Sequence, residues 1–117
     1  MSRLLDTIFI LGTEYEIYDQ DVSENPKLDD AFGISEFWTK SIIIDTSVED
    51  DHSFDNMNAL FHKVLRHEAF HCILHEAGAD KYSKDEDLVD MLAILYPKIK
   101  EIMDRLDNID LTVDRVR

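Results

Sequence analysis

Two histidines four residues apart with a glutamate beside the first, His67-Glu68-Ala69-Phe70-His71, are the residues of this chain best suited to chemistry. On a helix, side chains four apart share a face, so two neutral imidazoles there can hold one metal ion, and zinc suits such donors. Glu68 is rotated to the neighbouring flank. From there it cannot easily complete the same coordination sphere, but it can take a proton from a water held by the ion. The pattern therefore predicts His67 and His71 as ligands of Zn2+ and Glu68 as general base. The competing reading is a helix with two partly exposed histidines and an ordinary surface glutamate. It is weakened because both histidines fall on an apolar stripe, where unliganded imidazoles need other partners.

A catalytic site of this kind needs a third protein ligand and an open position. The stretch Ser83-Lys84-Asp85-Glu86-Asp87-Leu88-Val89-Asp90 offers carboxylates at the start of the next helix. HExxH followed by a separate helix carrying Glu86-x-x-x-Asp90 resembles the gluzincin pattern. That resemblance implies Glu86 as third ligand and Asp90 as the acceptor that orients a ligating imidazole, with Asp87 the alternative ligand. Ser83-x-x-Glu86 also reads as a capping box, which would turn the Glu86 carboxylate back to the Ser83 amide. A short turn between two antiparallel helices favours ligation, because it brings the second helix's start near residues 71–75. His75 stands roughly 12 Å along the axis from His67, too far to share one ion. It reads as a helix-end histidine favoured by the dipole or as an oxyanion donor, a role for which Tyr82 is the other candidate. Cys72 points off the histidine face and reads as a small core residue, and Phe37 and Trp38 as core or sheet-face residues.

The elements that must position these groups are legible in outline. Ser53 is a candidate N-cap for a long helix that runs to Ala77 and stops at Gly78, with Met57, Leu60, Val64, His67, His71 and Leu74 recurring at three and four. It is apolar nearly all round in its second half, as expected of a central helix. A short turn over residues 79–82 leads to Ser83 as N-cap of a second helix through about Leu106, where Pro97 should kink or divide it near Tyr96. Upstream, residues 7–11 and 14–18 read as a hairpin around Gly12, and residues 19–30 as a surface loop. A second β signal runs from Ile34 to Asp45, with Ile42-Ile43-Ile44 covered on both faces, or on one face with a dimer contact on the other. The tail, 108–117, adds an edge strand through Leu111 and Val113 or frays. The expectation is one α+β domain over residues 1–117: a short antiparallel sheet packed on a central HExxH helix and a second, C-terminal helix.

Composition narrows the partners. With 117 residues, 44% of them apolar, the chain suffices for one core. A net charge of −14 argues against nucleic acid or an anionic membrane as the main partner, and fits a well-solvated surface or a basic protein partner. Cys72 is the only cysteine, so no intrachain disulfide can form. No apolar run suggests a signal peptide or a spanning helix, so a cytoplasmic location is expected.

Taken in order, Leu11-Gly12-x-Glu14-Tyr15, Ile42-Ile43-Ile44-Asp45, Leu65-Arg66-His67-Glu68-x-x-His71 and Glu86-x-x-x-Asp90-x-Leu92-Ala93 resemble the small phage and prophage proteins of the ImmA/IrrE metallopeptidase-like group. The resemblance covers about residues 7–106 and HExxH is its specific part. It implies a short antiparallel sheet against an active-site helix, zinc on two histidines and a downstream acid, and cleavage of a repressor-type regulator. Two functions are thus expected: a zinc peptidase acting on a protein or peptide, or a non-catalytic binding module with a structural or vestigial zinc site.

Overall fold

The computed structural model describes residues 2–48 and 57–112, so the expected N-cap at Ser53 lies outside the described residues. Strands β1 (Arg3–Ile10) and β2 (Thr13–Asp19) form the expected hairpin. Ile10 pairs with Thr13, and the two residues between them, Leu11 and Gly12, both have positive φ (49° and 86°). That is the primed two-residue turn whose twist matches the flanking strands; Gly12 adopts it freely and Leu11 does not.

The β signal over Ile34–Asp45 resolves into two strands. β3 (Gly33–Glu36) turns through residues 37–40 into β4 (Ser41–Ile44), with Lys40 at φ 54° closing the turn. The strand order is β1-β2-β4-β3. β3 and β4 are antiparallel, but β2 and β4 run parallel, so the sheet is mixed and not antiparallel as expected. The reason is the connection: residues 20–32, which include a single 3-10 turn (Pro26–Leu28), carry the chain past the position of β4 before β3 starts. β4 is therefore an interior strand, and all four of its residues are buried. Trp38, expected in the core or on a sheet face, sits in the β3–β4 turn and is fully exposed.

Helix α1 (Met57–Glu76) ends where expected. Gly78 has φ 77°, its N–H bonds the His75 carbonyl, and the Ala79 N–H bonds that of Leu74, a glycine-terminated helix end. α1 is covered on several sides. Leu65, Ala69, Cys72 and Ile73 pack with Ile10, Tyr15 and Ile42 of the sheet, placing Cys72 in the core. Val64 and Glu68 face Gly33 of β3. Glu76 is an acid at the helix end where the dipole disfavours one. It is held there by Lys40 Nζ at 2.8 Å and by the hydroxyls of Tyr15 (2.6 Å) and Thr13 (2.9 Å), which keep its pKa down at about 2.

The turn expected over 79–82 is a one-turn helix, α2 (Asp80–Ser83), and α3 spans Glu86–Asp107. Its N-cap is Asp85, whose carboxylate accepts the Leu88 N–H, not Ser83. Ser83 is buried, and its hydroxyl donates to the His71 carbonyl. α3 continues unbroken through Pro97. Residues 108–112 form no strand; the rest of the tail lies outside the described residues. No helix among the described residues is long and apolar enough to cross a membrane.

Candidate metal centre

α1 and α3 bring His67, His71 and Glu86 together so that one ligand atom from each lies within 4.8 Å of the others. The His67 and His71 Nε2 atoms are 3.2 Å apart, and Glu86 Oε2 lies 3.0 Å from the first and 3.3 Å from the second. The capping box that competed for Glu86 does not form, because Asp85 has taken the cap and Ser83 faces α1. Asp87, in the first turn of α3, stands outside the cluster. The histidines are sunk between the helices, their side chains 19% and 11% exposed, while Glu86 at 70% forms the rim.

The other nitrogen of each imidazole faces an acceptor. The His71 Nδ1–H donates to the Ser83 carbonyl, which can only accept, so the neutral ring presents a lone pair at Nε2. His67 Nδ1 lies 3.4 Å from Asp90 Oδ1, the position expected of an orienting acid, and Lys63 Nζ lies 3.6 Å from the same oxygen. Such outer partners fix the tautomer and angle of a ligating imidazole. The contribution of the Ser83 backbone carbonyl carries no sequence signature.

Glu68 is buried beside this group, with Oε1 accepting the Ser35 hydroxyl at 2.7 Å. Burial raises its pKa above the ordinary 4.5, with the Ser35 bond and the two histidines pulling the other way. Sequence reasoning missed Ser35, which sits on β3, 33 residues from its partner and in no local motif. Two clefts meet at Glu68. One, about 250 Å³, is walled by Phe32, Leu60, Lys63, Val64, His67 and Asp90; the other, about 310 Å³, by Ser35, Phe37, His71, Ser83, Lys84 and Glu86.

The two candidate oxyanion donors are placed elsewhere. His75 Nδ1 is 2.7 Å from Asp80 Oδ1, and its ring stacks on Phe37 with centroids 3.9 Å apart. Tyr82 is 52% exposed, with the Lys81 ammonium over its ring, and it lines neither cleft. The group His67, His71 and Glu86 could hold a metal ion, with Glu68 at its flank and open space on both sides. No protein-family model, curated protein or solved structure matches this chain.

Proposed function

We propose that the chain is a zinc-dependent peptidase. The observation that carries this reading is the convergence of two Nε2 atoms and one carboxylate oxygen, with an acceptor behind each imidazole, beside a buried glutamate that is not part of the triad. Ligand atoms at zinc distances and the tetrahedral angle lie about 3.3 Å apart. The observed separations of 3.2, 3.0 and 3.3 Å support zinc. A nitrogen-rich set of three is a poor fit to calcium, which takes six to eight oxygens. Bound zinc would polarise a substrate carbonyl and bring the pKa of a water to about 7.

The rest of the chemistry falls to the chain's own residues. Ser35 ties down one Glu68 oxygen and leaves the other to take a proton from the attacking water. The same carboxyl then delivers that proton to the leaving amine as the C–N bond breaks. β3 is an edge strand whose Ser35 faces Glu68, and the two clefts include Phe32 before it and Phe37 after it. An extended peptide added alongside β3 would pass Glu68 on its way between the clefts. The resemblance to ImmA/IrrE proteins makes a regulator protein the substrate to try.

The alternative, a non-catalytic binding module, is favoured by the placement of His75 and Tyr82, the two residues expected as oxyanion donors, which line neither cleft. Hydrolysis of a fluorogenic peptide library by the zinc-loaded wild type and by Glu68→Gln separates the two. The peptidase reading expects turnover by the wild type and a loss of at least about a hundredfold in Glu68→Gln with zinc retained. No turnover by the zinc-loaded wild type, or equal turnover by both, would overturn it.

A further inference from the structure

A proline inside a helix has no N–H to give the carbonyl four residues before it. For Pro97 of α3 that carbonyl belongs to Ala93, a fully buried residue. The missing donor comes from the other helix: the Arg66 Nε–H of α1 bonds the Ala93 carbonyl at 3.0 Å. Arg66 directly precedes His67, and Glu86, Asp90, Ala93 and Pro97 recur at i, i+4, i+7 and i+11, a single face of α3.

We propose that Arg66 is a positioning residue for the metal centre, supplying the donor that Pro97 withholds and so fixing α3 at the separation from α1 that brings Glu86 and Asp90 to the two histidines. The inference rests on the reading of that triad as a metal site. Ala93 lies seven residues from Glu86, roughly 10 Å along the helix, so the bond acts through the shared rigid face and not by touching a ligand. Without Arg66 the Ala93 carbonyl loses its donor from α1, and water that replaces the guanidinium does not tie the two helices at a fixed separation. Gathering the three ligands round an ion must then restrict helices that are held together less firmly. The loss therefore appears in metal affinity as well as in folding.

Four proteins test this: wild type, Arg66→Ala, Pro97→Ala and the double variant. Zinc affinity is measured by competition with a chromophoric chelator well below each unfolding midpoint, and thermal unfolding is followed on the metal-free proteins. Pro97→Ala restores a helical N–H to the Ala93 carbonyl, which makes Arg66 redundant. The expected result is zinc binding about tenfold weaker in Arg66→Ala, and within about twofold of wild type in Pro97→Ala and in the double variant. Equal zinc affinity in Arg66→Ala and wild type would reduce Arg66 to a structural contact and overturn the proposal. So would a double variant as weak as Arg66→Ala. A wild type that takes up no zinc would instead sink the metal reading. The unfolding midpoints then decide the clamp: Arg66→Ala must lower the midpoint in the Pro97 background and hardly at all with Pro97→Ala, and equal drops in both would refute it.

Discussion

Replacing Gly33 by alanine probes how closely the edge strand β3 is seated on α1. Gly33 does not have positive φ, so the backbone accepts alanine and only the space is in question. A Cβ there would meet Val64 Cγ1 at 2.7 Å, some 0.7 Å inside ordinary contact at 3.4 Å, and would also crowd the Ile43 carbonyl (3.1 Å) and Glu68 Cγ (3.2 Å). Val64 is buried and β-branched on a helix, so it has one strongly preferred rotamer and cannot swing clear. β3 and α1 must then part by several tenths of an ångström. Overpacking of this kind costs about 1–3 kcal/mol, which for a chain of this size lowers the midpoint by about 5–15 °C. Thermal unfolding followed by circular dichroism measures it directly. Val64→Ala removes the atom in the way, so the Gly33→Ala penalty should shrink to less than half in that background. An unchanged midpoint in Gly33→Ala, or the same penalty with and without Val64→Ala, would refute this packing and with it the seating of Ser35 on Glu68.

Other consequences can be checked with the same purified protein. Leu11→Asn places a residue that tolerates positive φ before Gly12 and removes an exposed leucine, so it should raise stability by about 1 kcal/mol in a urea titration; a loss would mean the turn is not of the primed type. Glu76 is held at a pKa of about 2, below its ordinary 4.5. As pH falls below 4.5 the unfolded chain takes up a proton that the folded protein refuses until about 2, so the stabilisation is full above that window and is lost through it. Denaturant titrations from pH 6 to pH 2 should therefore show a steeper acid loss in wild type than in Glu76→Gln, and parallel curves would discount the Lys40, Tyr15 and Thr13 bonds.

What could be read from the chain follows from what local patterns encode. Residues 67, 68 and 71 were legible because a helix fixes their relation within one turn, and Gly78 because a helix end needs positive φ there. The parallel pairing of β2 with β4 was not, since alternation and β-branching report burial and not the partner strand. The cap at Asp85 was not legible either, since Ser83, the expected cap, instead donates its hydroxyl to the His71 carbonyl, a contact between helices. Trp38 misled because its size suggests burial, whereas the turn that carries it faces water. Glu76 did leave a signal: an acid in the last turn of a helix opposes the dipole and calls for a cation or hydroxyls, which Lys40, Tyr15 and Thr13 provide.

The central claim is that His67, His71 and Glu86 hold one zinc ion, and elemental analysis of wild type, His71→Ala, Glu86→Ala and Asp87→Ala after reconstitution tests it most directly. One zinc per chain is expected in wild type and Asp87→Ala, with the metal lost from His71→Ala and Glu86→Ala. A wild type that takes up no zinc, or an Asp87→Ala protein that loses it while Glu86→Ala keeps it, would contradict the account.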